Sequence, residues 1–242
     1  MPIYRLLKDS LWMPDESEYE ENDIVAVGGD LSAERLILAY RLGIFPWYNE
    51  PGHPVWFNPL ERAVLFVDRL KISQSMKVVI RKEEFSYSFD RCFRDVMEGC
   101  RSGDRIGNTW MHDELVEVYC KLHELGLAHS VEVWHRGVLV GGLYGMSMGK
   151  VFYGESMFSE KSNASKYGFI HLVQMLAGKG FEWIDCQVMT NHLASLGAEG
   201  LERSAFLGML DTALEHPTMH GSWADFSTSN TRHLPGFILD DE

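Results

Sequence analysis

The chain has 242 residues, of which 45% are apolar and 12% aromatic, and it carries a formal net charge of −13. This composition is typical of a globular protein and excludes a disordered chain, and no apolar run reaches the roughly 18 residues of a membrane-spanning helix. The acidic balance also argues against broad, sequence-independent binding of nucleic acid, because phosphate contacts need clustered Lys and Arg side chains.

The first 62 residues are rich in Pro and Trp and contain one clear helical pattern. That pattern predicts a helix from Ser32 to Leu42, with Ser32 as its N-cap and Gly43 as its end. Residues 27–30, just before it, are typical of a turn. The Pro- and aromatic-dense run at 44–59 cannot be helical, so it predicts a rigid loop or edge strands that lie against another surface.

From residue 63 onwards, strand patterns alternate with helical patterns. The predicted elements are, in chain order, a strand Ala63–Val67, helices Phe89–Cys100 and His112–Leu125, strands Ser130–Trp134, Val138–Met146 and Lys150–Tyr153, a helix Ser165–Ala177, a strand Trp183–Val188 and a helix Ser204–Leu214. Mixed strands covered by helices predict an α+β or α/β layered fold. The change in composition predicts a small domain at 1–62 and a larger one at 63–242.

Polar residues just after one predicted strand and within another suggest a site. Glu155 is a lone carboxylate in the run 154–158, and Asp185 and Gln187 are two residues apart, which places them on one face about 7 Å from each other. An ionised Asp beside a Gln can orient and polarise the amide, which is useful in a site. An ordinary buried strand with satisfied polar ends explains the same residues, and the pattern alone leaves both interpretations open.

The cysteines and histidines show no metal-binding pattern. The four cysteines are far apart without a CxxC pair, and the ten histidines have no HExxH spacing. We therefore expect reduced thiols, no metal and a cytoplasmic protein, and the N-terminus has no signal pattern. Residues 69–105 carry nine Lys or Arg against six Asp or Glu, so a small basic patch on an acidic body remains open beside ordinary solvated surface.

Several short motifs occur in order along most of the chain. They are Gly28–Ser32, Gly43–Trp47, Thr109–Trp110, Ala128–Trp134, Gly141–Gly145, Gly154–Phe158, Ala164–Lys166, Ile184–Gln187 and Ser195–Ala198. With these motifs the chain resembles the leucyl/phenylalanyl-tRNA–protein transferase family. Members move Leu or Phe from an aminoacyl-tRNA to the N-terminal Arg or Lys of a protein, which marks that protein for degradation in the N-degron pathway.

The resemblance implies a fold and a set of site residues. The implied fold is α+β, with a small N-terminal domain packed on a larger N-acetyltransferase-like domain, and no cofactor is implied. Asp185 and Gln187 would form an electron relay in which the Gln carbonyl accepts the amine proton, and Glu155 would hold the amino group of the donor. Residues implied to bind the aminoacyl-adenosine end are Trp47, Trp110, Tyr119, Leu143, Phe152, Met157, Leu172, Leu176 and Ile184.

The chain offers candidates for contacts with tRNA and departs from the family pattern at several positions. Lys77, Arg81 and Lys82 of the basic region are the candidates for contacts with tRNA phosphates. The family usually has Arg where this chain has Gln74 and Glu160, which weakens the case for strong contacts to the acceptor stem. Other departures are Trp56-Phe57-Asn58-Pro59 in place of a Trp-Trp-Ser-Pro run, and Thr190 in place of a common Asn.

Two other functions stay open at this point. One is a small-molecule N-acyltransferase that uses a CoA thioester, although the pyrophosphate-binding loop of acetyltransferases is missing from the sequence. The other is a catalytically silent adaptor that binds aminoacyl-tRNA or N-terminal peptides, although Glu155, Asp185 and Gln187 argue against it. Transfer of Phe to a peptide that begins with Arg discriminates among the three functions.

Overall fold

The computed structural model describes residues 3–19, 21–48, 54–102 and 111–228. The N-terminal part forms a four-stranded sheet with the strand order β1-β2-β4-β3. β1 and β2 are parallel and the other pairs are antiparallel. The strands are β1 Tyr4–Leu6, β2 Ile24–Gly28, β3 Phe45–Tyr48 and β4 Pro54–Phe57.

One α-helix, α1 Ala33–Arg41, connects β2 to β3. The side chain of Ser32 accepts a hydrogen bond from the Arg35 amide, so the predicted N-cap is confirmed. The predicted turn at 27–30 is wrong at its start, because Val27 and Gly28 still belong to β2. In the Pro-rich run, β3 is an edge strand as expected, whereas β4 lies inside the sheet.

The remainder of the described chain forms a seven-stranded sheet with the order β11-β5-β10-β9-β8-β7-β6. Its pairs are antiparallel except for β9 and β10, which run parallel. The strands are β5 Glu61–Phe66, β6 Ser86–Phe89, β7 Ala128–His135, β8 Val138–Met148, β9 Val151–Ser159, β10 Trp183–Gln187 and β11 Glu199–Glu202. Together with the helices, this mixed sheet confirms the α+β class.

Within the described residues, six α-helices accompany the large sheet. They are α2 Gln74–Arg81, α3 Phe93–Arg101, α4 Asp113–Glu124, α5 Ala164–Gly178, α6 Asn191–Leu196 and α7 Arg203–Leu214. The predictions of α4, α5 and α7 are confirmed to within a residue or two at each end. The predicted helix at Phe89–Cys100 starts four residues too early, because Phe89 ends β6. The strand predicted at Lys150–Tyr153 continues as β9 to Ser159.

The two sheets share one hydrophobic core. Leu36 and Tyr40 from α1 are fully buried in the same cluster as Val96 from α3, Tyr144 from β8 and Phe206 from α7. A second cluster lies on the other side of the large sheet, under α5. The division at residue 62 stays a prediction. No helix in the described ranges is long and apolar enough to cross a membrane.

Candidate active site

The candidate site lies where the parallel strands β9 and β10 separate. Their pairing ends at Asp185 and Tyr153, although β9 continues for six more residues. Just beyond this point, the side-chain amide of Gln187 donates from Nε2 to Oε1 of Glu155 at 2.8 Å. A crevice at the carboxyl ends of parallel strands is a common place for ligands in open sheets. Here a carboxylate and an amide meet across the opening.

Local irregularities in both strands place these two side chains. Glu155 is the extra residue of a β-bulge, because Gly154 pairs with Gly145 while Ser156 pairs with Tyr144. Gln187 follows a register shift in β10 and has a φ of 62°, in the left-handed region. Bulges redirect side chains and are frequent beside active sites, and a left-handed residue other than glycine needs support from its surroundings.

Glu155 lies in a network of buried hydroxyl groups. The Tyr40 hydroxyl donates to Oε1 of Glu155 at 2.5 Å and also bonds to the Tyr119 hydroxyl. Burial raises the pKa of Glu155 to about 7, while hydrogen bonds from Tyr40, Gln187 and Tyr119 act in the opposite direction. Burial also raises the pKa of both tyrosines well above their usual value. The carboxyl group therefore titrates close to neutral pH, beside hydroxyls that stay protonated.

Asp185 does not touch the amide that it was expected to polarise. Its carboxylate is fully buried and forms a two-point ion pair with Arg62, at 2.8 Å and 2.6 Å. Oδ1 of Asp185 also accepts the backbone N–H of Gln187 at 2.9 Å. The prediction of a direct side-chain pairing is therefore wrong, because the left-handed turn at Gln187 breaks the alternation of the strand and sends the amide to Glu155 instead.

A cavity of about 640 Å³ opens in front of the Glu155–Gln187 pair. Of the predicted pocket residues, Leu143, Phe152, Met157 and Ile184 line it. Leu172 and Leu176 do not line it, and they lie further along α5 in the buried core. Lining residues that were not among the predicted site residues include Phe45, Pro46, Phe158, Ser165, Phe169, His192 and Leu193.

Trp47 forms part of the cavity wall at the small sheet. Its side chain is 39% exposed, and its ring centroid lies 5.3 Å from that of Phe57. A partly exposed indole on a braced strand offers a flat face for stacking. Tyr119, in contrast, is fully buried and reaches the site through the hydroxyl network. Trp110 lies outside the described residues.

The basic candidates lie on another surface. Lys77 and Arg81 are on α2, and Lys82 is its C-cap. Arg81 and Lys82 are exposed and Lys77 is half-buried. None of the three is at the wall of the cavity. In the part of the chain that the structure describes, no group of three or more His, Cys, Asp and Glu side chains is arranged to hold a metal ion.

Two residues that hold the polar site in place were missed in the sequence. Tyr40 is 115 residues away from Glu155 along the chain, and Arg62 is 123 residues away from Asp185. No local pattern relates residues at such separations. Tyr40 lies on the helix that was predicted at Ser32–Leu42. Its hydroxyl, on the face of that helix that packs against the core, was the available indication that it takes part in the site. Arg62 is the second residue of β5, in a position where a charged side chain normally points to solvent.

Comparisons with known proteins agree over most of the chain. A model described as leucyl/phenylalanyl-tRNA protein transferase matches residues 64–211, and a model of the N-terminal domain of that transferase matches residues 29–60. A leucyl/phenylalanyl-tRNA–protein transferase from Maridesulfovibrio salexigens is 50% identical over 226 residues, or 92% of this chain and 94% of that protein. Its counterpart from Syntrophobacter fumaroxidans is 48% identical over 234 residues, or 96% and 100%.

Solved structures match more distantly. A GCN5-related N-acetyltransferase-like protein from Streptococcus suis is 18% identical, with a TM-score of 0.35, over 59% of this chain and 57% of that one.

Proposed function

The chain belongs to the leucyl/phenylalanyl-tRNA–protein transferase family and is an aminoacyltransferase, and we propose that it moves Leu or Phe to proteins that begin with Arg or Lys. An aminoacyl-tRNA is the donor and a protein is the acceptor. In this proposal the product is marked for degradation through the N-degron pathway. The reaction takes place in the cytoplasm, where aminoacyl-tRNA and protein acceptors meet.

The observation that carries the proposal is the polar pair Glu155–Gln187 at an apolar cavity. The cavity is large enough for a Leu or Phe side chain, and Leu143, Phe152, Met157 and Ile184 supply apolar walls. Met is flexible and polarizable, which suits a pocket that accepts two shapes of side chain. The polar pair then lies where the α-amino group and the ester of a bound donor are expected.

Trp47 is the proposed platform for the 3′-terminal adenosine. Stacking of a base on an aromatic side chain contributes about 1–3 kcal/mol and tolerates any base. The ring lies at the wall of the same cavity as the polar pair. A donor bound with its base on Trp47 and its side chain among the apolar residues spans the opening in front of Gln187. Trp110 is proposed to bind the same end of the tRNA.

The chemistry requires orientation more than a strong base. An α-amino group has a pKa of about 7.7–8.0, so about a tenth of it is neutral at pH 7, and the aminoacyl ester is an activated acyl donor. Holding the amine in line with the ester supplies much of the rate. With its Nε2 donating to Glu155, Gln187 presents its carbonyl oxygen to the N–H of the incoming amine. Glu155 accepts a hydrogen bond from the amino group of the donor.

The test is transfer of labelled Leu, Phe and Met from their tRNAs to peptides that begin with Arg, Lys or Ala. We expect transfer of Leu and Phe to the Arg and Lys peptides and little to the Ala peptide. Glu155→Gln should lose most of the activity, whereas the exposed Glu160→Gln, five residues further on, should keep it. Equal transfer to all three peptides, or full activity of Glu155→Gln, would refute the proposal.

A further inference from the structure

Arg62 is a fully buried cation that bonds to two distant segments of the chain. Its Nε and Nη2 atoms occupy both carboxylate oxygens of Asp185, at 2.8 Å and 2.6 Å. Its Nη1 atom donates to the carbonyl oxygen of Gly43 at 3.0 Å. Gly43 follows α1, which carries Tyr40, and comes before β3. One guanidinium group thus joins the end of β10 to the connection between α1 and β3.

Two aromatic rings enclose the same guanidinium group. The rings of Phe45 and Phe206 each have their centroid 4.5 Å from Cζ of Arg62. Contacts of this kind attract a cation to the ring face. Phe45 lies on β3, two residues before Trp47, and lines the cavity. The position of Arg62 is therefore coupled to the strand that carries the proposed adenosine platform.

The other end of this chain of contacts is the amide of Gln187. Oδ1 of Asp185 accepts hydrogen bonds from both Arg62 Nε and the Gln187 backbone N–H. The latter bond spans the point where Gln187 adopts a φ of 62°. Such a conformation persists only where neighbours hold it. Without a fixed Asp185, the left-handed turn that aims the amide at Glu155 loses its support.

We infer that Arg62 is a positioning residue that sets the place of Gln187 relative to Trp47. Asp185 acts through its hydrogen bond to the backbone N–H of Gln187. Because Arg62 neutralises the Asp185 carboxylate, the charge of that carboxylate has no part in moving the proton of the amine. The inference rests on the proposed function, since it concerns how the aminoacyl-transfer site is held together. It differs from the expected relay, in which Asp185 polarises the side-chain amide.

The first test compares Arg62→Lys with Arg69→Lys. Lysine keeps the charge but lacks the planar guanidinium group that bonds to both oxygens of Asp185. We therefore expect kcat to fall about tenfold or more, equally with aminoacyl-tRNA and with a minimal aminoacyl-adenosine donor. Arg69 is a matched control, because it also pairs with a carboxylate, Glu199, and covers the ring of Phe66, but on the exposed surface. A folded Arg62→Lys enzyme with wild-type kcat, or a loss that matches the unfolded fraction in a thermal melt, overturns the inference.

The second test separates position from charge. Asp185→Asn keeps an oxygen for the Gln187 N–H but leaves Arg62 buried and unpaired, so it should lose activity and stability. Adding Arg62→Gln removes that charge and keeps a planar amide, which can still donate a hydrogen bond to the side-chain oxygen at position 185. We expect the folded double variant to recover about tenfold or more of the kcat lost in Asp185→Asn.

The double variant keeps the inference testable if Arg62→Lys does not fold. A folded double variant that stays as inactive as Asp185→Asn would mean that the carboxylate charge itself is needed, and would overturn the inference. The wild-type assay separates this outcome from failure of the proposed function. A wild-type enzyme without transfer refutes that function, whereas wild-type transfer together with an inactive double variant refutes only the role given to Arg62.

Discussion

At the scale of single residues, Glu155 combines a charge with an environment that disfavours it. Its side chain lies among Tyr40, Tyr119 and Gln187, all of which satisfy the ionised carboxylate by hydrogen bonds. Burial outweighs them and raises the pKa to about 7 from an ordinary value of 4.5. Retaining a carboxyl group here costs stability at neutral pH. The proposed contact with the amino group of the donor gives a reason for retaining it.

This shift predicts a pH-dependent difference between the wild type and Glu155→Gln. A carboxyl group with a raised pKa binds more protons in the folded than in the unfolded chain between pH 4.5 and 7, so wild-type stability falls as the pH rises through this window. The Glu155→Gln variant has no carboxyl group to titrate at this position. Its stability relative to the wild type should therefore rise by about 1–3 kcal/mol between pH 5 and 8. Urea unfolding of both proteins at the two pH values measures this, and a difference that does not change with pH contradicts it.

Replacing Gln187 by Glu distinguishes two roles for this side chain, a general base and an orienting amide. A general base there would tolerate Gln187→Glu, whereas an orienting amide would not, because its Nε2 lies 2.8 Å from Oε1 of Glu155. Two carboxyl groups at that distance share a proton. We expect Gln187→Glu to lower kcat about a hundredfold, which is about 2.7 kcal/mol in the barrier.

The exchanged pair provides the control for that substitution. Glu155→Gln combined with Gln187→Glu restores one amide and one carboxylate, so it should recover part of the activity lost in Gln187→Glu alone. Steady-state transfer kinetics on the three variants measures this. Full activity of Gln187→Glu alone would show that position 187 acts as a base.

At the scale of elements, one face of α5 forms a stripe of side chains that runs from the cavity wall into the core. Ser165 and Phe169 in its first half line the cavity, while Leu172 and Leu176 in its second half are buried behind it. These four positions follow helical spacing, so the stripe itself was predictable. The sequence could not show where along the stripe the cavity ends. That boundary depends on β10 and on α6, which was not predicted.

The stripe predicts different outcomes for two substitutions on α5. Phe169→Leu enlarges the cavity, so the ratio of Phe transfer to Leu transfer should rise about fivefold, or about 1 kcal/mol. Leu172→Phe overfills the core and should cost about 1–3 kcal/mol of stability without changing that ratio. Competition assays with both donors and urea unfolding measure the two effects. A changed ratio in folded Leu172→Phe would place that residue at the pocket wall.

The elements that were predicted and those that were missed differ in how regularly their apolar residues are spaced and in how much they bury. Buried helices and strands after residue 110, such as α4 and α5, have apolar residues at clear periods, and these were found. α2 was missed because its sequence mixes β-branched residues with charges, and it buries little except Met76. β11 consists of Glu199–Glu202, a polar edge strand whose pairing with β5 depends on distant residues.

The site was predictable to the extent that it follows regular geometry. Glu155, Gln187 and four of the residues that the resemblance implied for the pocket line the cavity, while their roles stay predictions. The contact between Glu155 and Gln187 was not predicted, because it depends on a bulge in β9 and a left-handed residue in β10. The ion pair of Arg62 with Asp185 was not predicted either, since it joins strands that are far apart in the chain.

At the scale of the whole molecule, the site depends on how the two sheets pack. α1 and β3 of the small sheet supply Tyr40 and Trp47, while the large sheet supplies Glu155 and Gln187. A shared core holds these parts together. The chain as a whole is strongly acidic, with 35 acidic against 22 basic residues. Recognition of a polyanionic tRNA therefore has to rely on local features.

The charge balance predicts that the aminoacyl-adenosine end carries most of the affinity. Each phosphate contact steepens the dependence of log K on log salt concentration by about 0.7–0.9. Lys77, Arg81 and Lys82 supply at most three phosphate contacts, so we expect a slope of about −2 to −3. A minimal aminoacyl-adenosine donor should be used measurably. Trp47→Ala should impair both donors alike, whereas Lys77→Ala should impair only the full tRNA, because stacking is short-ranged and phosphate contacts need the acceptor stem. Binding titrations over a range of salt and turnover with both donors measure this. A steep slope together with no turnover of the short donor would show that the tRNA body carries recognition.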